Sequence, residues 1–88
     1  MIEHEATIVN QEGLHARPAA KIVRLASTFN SEIELFKDGM AVNGKSIMGV
    51  MMLAAECGSS IMIRADGPDA EQAVKALSQL VAEGFGEP

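Results

Sequence analysis

Tryptophan and tyrosine are absent and phenylalanine occurs three times, so a core in this 88-residue chain has to be assembled from Ile, Val, Leu, Met and Ala. Cys57 stands alone, which excludes an internal disulfide, and two histidines with one cysteine make a poor zinc set. A reducing, cytoplasmic setting is the natural expectation. No charged leader followed by an apolar run opens the chain, and no apolar stretch approaches the length of a membrane span, so a soluble protein without membrane insertion is expected. Lys and Arg number 7 against 12 Asp and Glu, a net charge of −5 that argues against a nucleic-acid partner. There is no carboxylate dyad, P-loop or metal-ligand cluster, and neither metal nor cofactor is expected.

Apolar residues make up 48% of the chain, enough for one core and too little length for two; about 60–65% of the unfolded surface of such a chain can be buried. One domain over residues 1–88 is therefore expected. Glu3 to Val9 alternates and is β-branched enough for a strand. From Ala16 to about Ser27 the period is helical, with Ala19, Ala20, Val23 and Ala26 on one side and Ile22, Leu25 and Phe29 widening the stripe. Ser31 to Lys37 alternates Ile33 and Leu35 against Glu32 and Glu34, and Asp38-Gly39 signals a hairpin into Met40 to Val42. Ser46 reads as the N-cap of a short apolar helix ending near Cys57, with Gly58 as its stop. Ser60 to Ala65 supplies a last strand. Pro68 opens a long helix through Ala70, Ala73, Val74, Leu77, Leu80 and Val81 that Gly84 ends, and the tail from Gly84 to Pro88 reads as loose. Four strands and three helices make a small α+β protein whose strand order periodicity does not supply.

Chemistry concentrates at Gly13-Leu14-His15-Ala16-Arg17-Pro18, where a helix begins. A helix start offers unpaired backbone N–H groups and partial positive charge to an anion. Arg17 adds planar donors suited to phosphate oxygens, and neutral imidazole is the side-chain nucleophile most available near pH 7. Pro18 fixes φ in the first turn and leaves the amides of Ala16 and Arg17 to a ligand. His15 can therefore accept a phosphoryl group that Arg17 and those amides hold. His4 reads as an exposed strand residue, Cys57 as a small semi-buried apolar one. Arg17, Lys21 and Arg24 fall on one helical face, which suits either plain solvation or docking of an acidic partner. Ile47, Met48, Met51 and Met52 make the short helix more apolar than one buried face requires.

Two motifs, G-L-H-A-R-P-A at Gly13 to Ala19 and N-G-K-S-I-M-G-V-M-M-L at Asn43 to Leu53, resemble the histidine-containing phosphocarrier family, HPr, of the bacterial phosphoenolpyruvate-dependent phosphotransferase system. The resemblance covers essentially the whole chain. It implies an open-faced sandwich, a four-stranded antiparallel sheet with three helices across one face. It implies a monomeric phosphoryl carrier rather than an enzyme: His15 accepts a phosphoryl group on Nδ1 from Enzyme I and donates it to Enzyme IIA domains in carbohydrate uptake, with Arg17 stabilising the phosphate. It further implies that Ser46 is a regulatory phosphorylation site for a serine kinase/phosphorylase, and that a transcriptional regulator can be a partner. Ala20, Arg24, Ile47, Met48 and Met51, with Arg17, are implied to meet partner proteins. Two other readings compete: a regulatory HPr-like protein of the nitrogen-related or catabolite-control branch, switched at Ser46 or His15, and a small hydrolase using His15 as nucleophile or base.

Overall fold

Alternation along the strands sorts side chains between two faces. Ala6, Ile33, Leu35, Ile61, Ile63 and Ala65 are buried on one side, while Glu32, Glu34 and Arg64 lie on the other. The computed structural model describes Met1–Glu87, with elements β1 (Ile2–Thr7), α1 (Ala16–Ala26), β2 (Glu32–Lys37), β3 (Met40–Asn43), α2 (Ile47–Met52), β4 (Ser60–Asp66) and α3 (Ala70–Ala82). The four strands form one antiparallel sheet in the order β1-β4-β2-β3. The last strand in sequence is thus an inner strand, pairing Ile63 with His4 on one side and with Leu35 on the other. The three helices cover the apolar face, and the core they close contains Ile22, Val50, Leu77 and Val81. The opposite face carries an Arg64 guanidinium 2.7 Å from Glu3 and 4.2 Å above the Phe36 ring.

Turn chemistry fits the hairpin: Asp38 and Gly39 both adopt positive φ between β2 and β3, as a tight turn matched to strand twist requires. Helix α3 buries Ala70, Ala73, Val74, Leu77 and Val81, the face that the periodicity marks, whereas α1 buries Pro18, Ala19, Ile22 and Ala26 and leaves Ala20 and Val23 half-buried, so its buried face is turned toward Ile22 from the side expected.

Several boundaries depart from the sequence reading, each for a local reason. Strand β1 runs Ile2–Thr7 rather than Glu3 to Val9, although Ile8 stays buried and exchanges backbone bonds with Gly58 and Ser59. Helix α2 ends at Met52, well short of Cys57, because Ala54 turns to positive φ one residue beyond the Leu53 cap. Gly58 therefore serves the return to β4 rather than a helix stop. Helix α3 starts at Ala70, not Pro68. Its N-cap residue, Asp69, does not cap it; the carboxylate reaches back to accept bonds from the amides of Asn30 and Ser31 at 2.9 Å and the Ser31 hydroxyl at 2.6 Å.

The tail is the largest departure. Rather than hanging loose, Gly84–Gly86 forms a tight turn with all three residues at positive φ and Phe85 only 2% exposed, while Pro88 lies outside the described residues. Phe85 sits at φ 59 to get there. A left-handed conformation costs a non-glycine residue roughly 1–2 kcal/mol, and burying a phenylalanine returns about 1.5–3 kcal/mol, so burial prevails.

The Asp69 clip predicts an acid dependence. The Ser31 hydroxyl, then the Asn30 amide, hold the Asp69 carboxyl below its ordinary value. A depressed folded value contributes stability that is complete above the unfolded value and fades as pH falls through the folded one. Asp69→Asn should lower the melting temperature at neutral pH and flatten its decline as pH falls through and below the ordinary carboxylate range. Melts that run parallel to wild type down through that range would show the clip contributes nothing.

Candidate functional site

Backbone constraint sets the position of His15 before any side chain acts. Asn10 is buried, and its Nδ2 donates to the Gly13 carbonyl at 2.9 Å while the Gly13 amide donates to the Asn10 carbonyl at 3.2 Å. Gly13 has φ +68, and a Cβ there would collide with the Ala55 carbonyl oxygen, so only glycine fits. The next amide, that of Leu14, donates to that same carbonyl at 2.9 Å. This stitching delivers His15 in extended conformation as the N-cap of α1.

Helix α1 then offers what the sequence promised. The first helical bond of its cap runs from the Ala19 amide to the His15 carbonyl at 3.0 Å. Ala16 and Arg17 occupy the first two helical positions, whose N–H groups have no acceptor within the helix, and Pro18 in the third has no N–H. The His15 side chain makes no capping bond and remains 39% exposed. Arg17 is exposed and shares with His15 a hollow of about 290 Å³ whose other walls are Gln11, Glu12 and Glu87. A larger depression of about 430 Å³, walled by Glu32, Glu34, Arg64 and Asp66 among others, has no histidine or cysteine.

Two acidic groups at His15 were not anticipated. Glu12 Oε1 and Glu87 Oε1 each lie 3.6 Å from His15 Nε2. Glu12 is a neighbour by sequence, three positions before the histidine, and that spacing could have flagged it. Glu87 arrives only because buried Phe85 folds the tail inward, and no periodicity announces such a return. Lys21 anchors it, donating to the Phe85 carbonyl at 2.6 Å and lying 3.7 Å from Glu87 Oε2. The basic face of α1 is therefore reduced to exposed Arg17 and Arg24, with Lys21 engaged by the tail.

Ser46 is the N-cap of α2, its Oγ accepting the Gly49 amide at 3.1 Å. Ile47, Met48 and Met51 are exposed beside it, on a helix that packs against α1; on α1 itself Ala20 is half-buried and Arg24 exposed. Met52, counted with them in the apolar excess of the sequence but not among the implied partner contacts, is 63% exposed. His4 is an exposed strand residue, as read. Cys57 is exposed rather than semi-buried, its Sγ 3.7 Å from the Val9 carbonyl, because α2 ends before reaching it. Among the described residues no three His, Cys, Asp or Glu side chains are arranged to hold a metal ion, and no helix is long and apolar enough to cross a membrane.

Comparison with known proteins identifies the family of the chain. The family described as "PTS HPr component phosphorylation site" matches residues 2–83. The phosphocarrier protein HPr of Cupriavidus necator is 48% identical over 99% of this chain and 98% of its own. The crystal structure of HPr-C-His from Thermoanaerobacter tengcongensis superposes with TM-score 0.96 at 48% identity, covering 100% of this chain and 99% of the other. That of the Bacillus subtilis catabolite repression protein Crh, a swapped dimer, does so with TM-score 0.77 at 40% identity over 96% and 97% of the two chains.

The Ser46 cap gives a stability prediction independent of any function. Ser46→Ala removes the acceptor for the Gly49 amide and should cost about 1 kcal/mol. In a domain of this size that lowers the melting temperature by about 4–8 °C. An unchanged melt would show that the cap is dispensable.

Proposed function

The chain belongs to the HPr family of phosphotransferase-system phosphocarriers, and from that membership we propose that His15 is its phosphoryl acceptor, taking the group from Enzyme I and passing it to Enzyme IIA domains during carbohydrate uptake. The carrying observation is a half-exposed imidazole at the start of α1 beside two amides without helical acceptors and the exposed Arg17. Attack by Nδ1 forms the nitrogen–phosphorus bond as the bond from phosphorus to its donor atom on Enzyme I breaks, the electron pair leaving with the donor. Three phosphoryl oxygens then need donors; the Ala16 and Arg17 amides and the Arg17 guanidinium supply them.

A carrier also has to release what it holds. A shallow hollow with one arginine favours this better than a deep pocket would, because the phosphorylated state is not overstabilised. The whole chain acts as one HPr domain that partner enzymes phosphorylate and dephosphorylate, and it catalyses no reaction of its own. Docking uses Arg17, Ala20 and Arg24 of α1 with Ile47, Met48 and Met51 of α2, an apolar patch with a basic border suited to acidic partner surfaces. Ser46 is a regulatory site on that same patch: a serine kinase/phosphorylase would place a dianion among residues that binding has to dehydrate, and a transcriptional regulator could read the change.

Incubation with phosphoenolpyruvate and Enzyme I should give a phosphorus NMR signal of acid-labile, base-stable phosphohistidine. His15→Ala should abolish it and His4→Ala should not; the reverse pattern would refute the assignment. Arg17→Ala should slow transfer about tenfold or more, some 1.4 kcal/mol, with a nearly unchanged melting temperature. Unaltered transfer with a large loss of stability would make Arg17 structural.

Ser46→Asp should weaken binding of Enzyme I in calorimetry while leaving the melt close to wild type. Equal affinity, or affinity lost only together with folding, would remove Ser46 from regulation.

A further inference from the structure

We propose that Glu12 and Glu87 are positioning residues for His15: by flanking Nε2 with two carboxylates they hold the ring proton on that nitrogen, so that the free lone pair is on Nδ1. This rests on the reading of His15 as the phosphoryl acceptor. The observation behind it is the convergence of two carboxylate oxygens, from separate parts of the chain, on one ring nitrogen at 3.6 Å each. In a neutral imidazole, the group facing one nitrogen decides which nitrogen keeps the proton. A carboxylate facing Nε2 favours a proton there. It disfavours a lone pair there, since lone pair and carboxylate are both electron-rich.

Glu87 is held for this purpose and Glu12 is not. Glu12 is 76% exposed and free to swing, whereas Glu87 is 14% exposed and tied at both ends. Behind it Phe85 is locked in the core, and Lys21 reaches both the Phe85 carbonyl and Glu87 Oε2. The Glu87 Oε2 atom is buried without a hydrogen bond, so the carboxylate is kept near the ring by the fold rather than by solvent.

The arrangement assigns the carboxylates a part in both directions of transfer. When Nδ1 attacks phosphorus, the ring, which already carries a hydrogen on Nε2, becomes cationic, and that charge develops next to Glu12 and Glu87. When the phosphoryl group leaves, the electron pair of the broken bond returns to Nδ1 and the ring is neutral again with the same proton on Nε2. No proton has to enter or leave. Two carboxylates would repel a phosphoryl dianion placed between them, but they face Nε2, and Arg17 and the helix start serve the group at Nδ1. The charged groups around the ring are thus Glu12, Glu87 and Arg17, all lining the one hollow that His15 shares, with Lys21 balancing Glu87.

The test uses the full chain labelled with nitrogen-15 in its histidines. In wild type at a pH where the ring is neutral, imidazole NMR should show His15 predominantly as the Nε2–H tautomer. Glu12→Gln and Glu87→Gln should each lower the Nε2–H to Nδ1–H ratio about twofold to fivefold, the scale of a half-exposed ion pair. Phosphoryl transfer from Enzyme I should slow as well, by less than the ratio falls while the Nε2–H form stays predominant, with unchanged melts. Glu12→Gln leaves the tail's anchor intact and so reports tautomer control without tail movement. A ratio unchanged in both variants would overturn the proposal, as would a change confined to Glu87→Gln with Phe85 lost from the core. Failure of wild type to give a phosphohistidine signal would instead defeat the carrier reading, which the tautomer ratio does not depend on.

Discussion

The contact between Gly13 and Ala55 governs where the chemistry sits. The backbone passes so close to the Ala55 carbonyl that no side chain can intervene, and the Leu14 amide closes the contact with a hydrogen bond. Buried Asn10 braces the approach from the other side. An exposed loop ordinarily samples many conformations. Here its two ends are tied within the protein, and the residue that emerges at the helix start has one place to go. The placement of the His15 ring depends on bonds that the ring does not make.

Much of this was legible in sequence because it is periodic or punctuated. Ile33 and Leu35 alternating with Glu32 and Glu34 and the spacing from Ala70 to Val81 map onto what the fold buries, and Asp38-Gly39 makes the turn between β2 and β3. His15, Arg17 and Ser46 stand at helix starts as their local motifs require. What escaped was non-local. Strand order follows from which strands share a core, not from any one strand's pattern. The end of α2 follows from a single positive φ at Ala54, a residue that gives no such signal.

Glu87 shows most clearly why the site was only half legible. A short tail rich in glycine reads as loose, and two of its residues do have glycine's conformational freedom. One phenylalanine between them reverses the outcome, since its burial outweighs the strain of a left-handed backbone. In a protein with three aromatic residues, spending one on the tail is a large commitment. It brings a carboxylate from the far end of the chain to a histidine near the beginning.

The order β1-β4-β2-β3 has a consequence for how the chain is made. β1 leaves the ribosome before the other three strands, yet among the described residues its partner in the sheet is β4, which ends at Asp66. At about 5–20 residues per second, β1 waits some seconds for a neighbour. The hairpin of β2 and β3 can close meanwhile, but its inner edge stays unpaired for the same reason. Both edges find their partner in β4, which lies between them. Until then the growing chain exposes two strand templates to any other chain nearby, and the acidic residues along β1 and β2, Glu3, Glu5, Glu32 and Glu34, keep such templates apart during that interval.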